Sequence, residues 1–87
     1  MPTIIAHHDV NDTDHWLASG KREEFFGGLG VTNIRTFVDA QNPNTVAVIM
    51  DVPDMDAMTA ALHGEAGAAA MEHDGVLPDT VTILVER

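Results

Sequence analysis

Thr3 to Val10 opens with β-branched and apolar residues and ends in the polar cluster Asn11-Asp12-Thr13-Asp14. Such a run reads as a strand, and the cluster can stop it and cap a following helix. From Asp14 to about Phe26, Trp16, Leu17, Phe25 and Phe26 are interleaved with the charged group Lys21 to Glu24, which predicts one amphipathic helix with a solvated face. Gly20 weakens that helix locally, and Gly27, Gly28 and Gly30 end it. Thr32 to Val38 then sets Thr32, Ile34, Thr36 and Val38 against Asn33, Arg35 and Phe37, the period of two that marks a strand. After the turn residues Asp39 to Asn44, the nearly continuous apolar run Thr45 to Val52 completes a hairpin. Pro53 stops it, and Asp54 is placed to cap a second helix with Asp56 in its first turn. The apolar face of this helix is read as Met55, Met58, Leu62, Ala66, Ala69, Ala70 and Met71, with a bend at Gly64 and Gly67 and an end at Gly75. A last alternation from Thr80 to Val85 gives a fourth strand.

The order β-α-β-β-α-β is the split βαβ pattern, so the expected fold class is α+β and ferredoxin-like, an antiparallel sheet with both helices on one face. The other face of such a sheet needs cover. Val46, Val48, Met50 and Val52, together with their alternates, cannot all face the helices, so a homodimer joined sheet to sheet is expected. With 87 residues the chain is read as one domain, residues 1–87, and a domain of this size gains from oligomerisation.

Fourteen acidic residues stand against the four cations Lys21, Arg22, Arg35 and Arg87. That balance excludes nucleic acid and anionic membranes as partners, since Lys21 and Arg22 are followed at once by Glu23 and Glu24. Cysteine is absent, which removes disulfides, thiolate catalysis and cysteine-ligated metals. No apolar run approaches the length of a membrane span and Met1 leads directly into the first strand, so a cytoplasmic location is expected.

The run His8-Asp9-Val10-Asn11-Asp12-Thr13-Asp14-His15-Trp16 resembles the dimeric α/β-barrel superfamily, which includes antibiotic-biosynthesis-type monooxygenases, haem-degrading enzymes and polyketide cyclase-like proteins. The resemblance continues through Gly30-Val31, Arg35, Asn42-Pro43-Asn44, the segment Asp54 to Ala61 and Gly75-Val76. It implies an apolar aromatic or polyketide-like small molecule held between sheet and helices. For monooxygenases of this type it implies neither metal nor flavin, so no cofactor is expected. From the cyclase-like relatives it implies a histidine pair that moves protons, one near the first strand and one near the second helix.

Five histidines are the main chemical feature. His7 and His8 are consecutive in a strand, so only one can face the helices, and the resemblance favours His8. A strand histidine there is either bonded to a neighbouring carboxylate or tuned for proton transfer. His63, beside the bend at Gly64, matches the second member of the implied pair, with solvation at a helix break as its alternative. His8 and His63 are the expected catalytic residues. Trp16 is read as core with a share in lining the pocket, Arg35 as a group that orients an anionic ligand or pairs with an aspartate, and His73 as a dipole partner at a helix end or a ligand contact. Pairs such as His7 or His8 with Asp9, or His15 with Asp12, have no diagnostic metal spacing, and no metal site is expected. The alternative to an enzyme is a non-catalytic homodimeric module.

Overall fold

In the computed structural model, which describes residues 2–87, an antiparallel sheet is formed by β1 (Thr3–Asp9), β2 (Thr32–Val38), β3 (Thr45–Asp51) and β4 (Thr82–Val85) in the order β2-β3-β1-β4. This is the ferredoxin-like arrangement expected from the pattern. The first helical segment is divided into α1 (Thr13–Ala18) and α2 (Lys21–Gly27), the second into α3 (Met55–Leu62) and α4 (Glu65–Asp74). Asp12 accepts from the His15 amide at 3.2 Å and Asp54 from the Ala57 amide at 3.1 Å, so both carboxylates cap the helices they precede.

Both breaks have local causes. Ser19 takes an extended conformation, and Gly20 then restarts the chain as α2. His63 ends α3, and Gly64 is extended before α4. The second break resets the helical phase. The inward face of α4 is therefore Gly67, Ala70, Met71 and Asp74, while Ala66 and Ala69, expected to face the core, are exposed. Gly67 permits the close crossing: a Cβ there would lie 2.8 Å from the Leu62 carbonyl oxygen and closer still to that of Ala61. Gly75, at φ 72°, closes α4 with Val76 donating to the Met71 carbonyl at 2.9 Å and Gly75 to that of Glu72 at 3.2 Å.

Two details depart from the alternation in the sequence. Asn33, at φ 59°, inserts a bulge between Thr32 and Arg35, so Thr32 pairs with Asp51 on the outer face while Ile34, Thr36 and Val38 stay on the helix side. At the end of the chain, Pro78–Thr80 forms a single 3-10 turn, and β4 starts two residues later than expected.

The core lies between sheet and helices. It takes Ile4, Ala6 and Val10 from β1 and its end, Val46, Val48, Met50 and Val52 from β3 and its end, and Val31, Trp16 and Met58 from the rest of the chain. The opposite face carries Ile5, His7, Ala47, Ile49, Arg35, Phe37 and Leu84 in the cross-strand rows Leu84-Ile5-Ile49-Arg35 and Thr82-His7-Ala47-Phe37. No helix among the described residues packs on that face.

Candidate functional site

His8 points to the helix side because it shares strand parity with Ile4, Ala6 and Val10, and only 8% of it is exposed. His7 lies on the outer face, opposite Ala47 and Thr82. Trp16 comes to His8 from α1, capped in place by Asp12, and its ring meets the imidazole edge to face at 5.7 Å between centroids. These two side chains form one wall of a cavity of about 80 Å³ between the sheet and the helices. Phe25, Phe26, Met58 and Met71 are among its apolar lining, with Gly67 and Ala70 leaving room beneath α4.

Two charged residues also reach this space. Arg22 is 6% exposed, and its guanidinium sits 4.2 Å above the Trp16 ring and donates to the Trp16 carbonyl at 3.2 Å. Asp74, at the end of α4, is 5% exposed and accepts from Ser19 Oγ at 2.5 Å and from His73 Nδ1 at 2.9 Å. His15 Nε2 donates to the His73 carbonyl at 2.7 Å, so α1 and the residue after it are clasped to the end of α4. His15, His73 and Asp74 are the one set of metal-ligand-type side chains that converge among the described residues, with candidate atoms within 4.8 Å of one another. Hydrogen bonds within the set account for their geometry.

Burial is the main reason that the His8 pKa falls below its ordinary 6.5, and the nearby Arg22 charge lowers it further, while the Asp9 backbone and carboxylate oppose the shift. At neutral pH the imidazole is therefore uncharged. Its Nδ1 is buried without a hydrogen-bond partner, as is Arg22 Nε. Here the bland expectation of a histidine satisfied by a neighbouring carboxylate is not met.

The expected site residues separate into groups. His8 and Trp16 share the cavity. His63 ends α3 on the exposed surface and lines a different, open groove with Gly64, Ala68 and Pro78, so the structure does not bring it to His8. Arg35 lies on the outer face of the sheet, near Asp51, and His73 is half exposed outside the cavity. Arg22 and Asp74 were not legible as site residues. The one available signal was spacing: Arg22, Phe25 and Phe26 stand at i, i+3 and i+4, so a helix that buries the two phenylalanines carries Arg22 inward with them.

No protein-family model and no curated protein matches the chain. Solved structures do. A Bordetella bronchiseptica protein provisionally named an antibiotic biosynthesis monooxygenase superposes with a TM-score of 0.72 at 14% identity, over 99% of this chain and 94% of its own. A second structure, described as an antibiotic biosynthesis monooxygenase, gives 0.64 at 15% identity over 100% and 97%. SnoaB, a cofactor-independent oxygenase from Streptomyces nogalater, gives 0.65 at 17% identity over 98% and 87%. At such identities the shared property is the architecture, and the chain has the ferredoxin-like α+β fold of these structures.

Proposed function

We propose that this chain is a homodimeric small-molecule-binding protein whose cavity between sheet and helices takes an apolar aromatic compound and oxidises it without a cofactor, with His8 as the proton acceptor. The observation that carries the reading is His8 itself: a buried, neutral imidazole with an unpartnered Nδ1 on the wall of a mainly apolar cavity. A base poised in this way can take a proton from an activated ring carbon or hydroxyl, leaving an electron-rich anion. For a ring methylene the balanced change converts the methylene and one dioxygen into a ring carbonyl and one water. The ring supplies four electrons, one oxygen atom stays on carbon, and the other leaves as water with the two methylene hydrogens. The likeness to a cofactor-independent oxygenase supports that choice of chemistry at the level of fold.

The size of the cavity restricts the substrate. An apolar cavity of roughly 150 Å³ holds one benzene, and this one measures about 80 Å³. Even a single ring therefore requires its walls to move, and a fused-ring compound requires more. α4 is the wall suited to do so, because only Gly67 and Asp74 of its ten residues are buried.

The test is oxygen uptake with anthrone-type and hydroxylated single-ring aromatics, comparing the wild type with His8→Ala. Turnover that falls by about 10²- to 10⁴-fold in the variant, with binding retained, is the expected result for a lost general base. Binding without turnover in both proteins would favour the non-catalytic module. The proposed dimer rests on the apolar outer face, on which Ile5, Phe37 and Leu84 are exposed.

A further inference from the structure

The chain has fourteen acidic residues and four basic ones, yet the single cation buried among the described residues has no acidic partner. Among those residues the one histidine, lysine or arginine nitrogen within ion-pair distance of a carboxylate is His73 Nδ1, on Asp74. Arg22 lines the cavity with its guanidinium against the Trp16 ring and one nitrogen on the Trp16 carbonyl, and Nε is left without a partner. An indole face and a carbonyl offer partial compensation to a cation, but neither brings a negative charge, and a buried guanidinium with a free donor is costly. The Asp74 carboxylate, also on the cavity wall, binds Ser19 and His73 through Oδ1 and makes no ion pair with Arg22. His8, the other orphan in the same wall, is neutral and cannot serve as counter-ion.

We infer that the missing charge belongs to the ligand: the cavity recognises a small ring compound carrying an ionised oxygen, which accepts from Arg22 and lies beside His8. A phenolate, an enolate and a ring carboxylate share this chemistry. The oxygen would satisfy the free Arg22 donor through a charge-assisted hydrogen bond, and the ring would occupy the apolar space toward Phe25 and Met58. In the wider mechanism Arg22 is then the group that holds the substrate in its electron-rich, deprotonated form. The inference rests on the reading of this cavity as a small-molecule site.

Trp16 is the only tryptophan in the chain and stands in the cavity wall, so its fluorescence reports occupancy directly. Benzoate and para-nitrophenolate serve as the carboxylate and phenolate probes, benzamide and nitrobenzene as their neutral counterparts, with affinities measured by calorimetry alongside the fluorescence. The wild-type protein is expected to bind at least one anion about tenfold or more tighter than its neutral counterpart, as a charge-assisted bond in a buried site implies. Which anion is preferred distinguishes a phenolate ligand from a carboxylate one. Arg22→Gln is expected to abolish the preference, and Arg35→Gln, on the outer face, is expected to keep it. Equal binding of anion and neutral counterpart by the wild type overturns the inference even if Arg22→Gln fails to fold, as does an anion preference that survives in Arg22→Gln. Neutral rings that bind without anion preference leave the small-molecule reading standing, whereas failure of every probe to bind overturns both.

Discussion

His8 shows how one residue combines a structural cost with a chemical use. In the unfolded chain its imidazole takes up a proton near pH 6.5, and in the folded protein only at lower pH, because burial and the Arg22 charge oppose the cation. Between these two pH values the unfolded state binds more protons, so stability rises with pH across the interval. The contribution of His8 is complete above pH 6.5 and is lost as the pH falls toward the folded-state value. Asp51, held below its usual 3.8 by hydrogen bonds from Thr3 and Asn33, acts in the same direction but in a more acidic range. The difference in urea midpoint between the wild type and His8→Phe, followed from neutral pH down to about pH 5, isolates the histidine. We expect the wild type to lose stability relative to the variant over this range, and parallel profiles would show that His8 does not titrate as its surroundings demand. The direction of His8 was half legible: strand parity required His7 and His8 to face opposite ways, and the neighbours of each were too alike to say which faced in. Arg22 was hidden by its sequence context, because a cation followed by two glutamates reads as a solvated helix face.

At the scale of elements, the strands were read closely and the helices only in outline. Period-two alternation survives into the sheet because strand faces are fixed by parity, and the bulge at Asn33 shifts only Thr32. A helix face depends on unbroken phase over several turns. The chain breaks phase at Ser19-Gly20 and again at His63-Gly64, so Ala66 and Ala69 turned outward and Gly67 turned in. Gly67 is therefore a packing residue in the corner between α3 and α4, not merely a bend. Gly67→Ala forces a methyl group against the carbonyls of Ala61 and Leu62. The expected cost is about 1–3 kcal/mol, as for other overpacked sites, measured as a fall in urea midpoint with an unchanged slope. Because Gly67 also lines the cavity, the same variant should weaken the binding of ring compounds. Ala69→Gly is the control. Ala69 is exposed, so the change costs only the helix propensity of one alanine, about 1 kcal/mol, and should leave the ligand affinity untouched.

For the whole molecule, the sheet has one face buried by helices and one that the described residues leave open. Leu84 is 51% exposed, Phe37 47% and Ile5 36%, and with Ile49 and Ala47 they form adjoining rows that cross that face from edge to edge. Scattered apolar residues would need no explanation, but a contiguous patch on a flat sheet does. A second copy would answer it by placing the same patch against itself about a two-fold axis, which would bury apolar rows on both sides and close the assembly. Arg35, at the end of one row, is an exposed cation on a strongly acidic chain. The open apolar face was legible from the sequence, because β1 and β3 carry more apolar residues than one buried face can use. Sedimentation equilibrium at micromolar concentration should therefore give twice the 9.3 kDa mass of the chain. Leu84→Glu removes little from the fold of one chain, since half of that side chain is exposed there, but in the proposed dimer it would set a carboxylate of each copy in the apolar patch, where burying an unpaired charge is prohibitive. The variant is expected to sediment as a folded monomer with native circular dichroism, and a wild type that is itself monomeric would leave the apolar face to some other partner. If the dimer also braces the sheet that carries His8, the monomeric variant should bind ring compounds more weakly although Leu84 lies on the opposite face from the cavity.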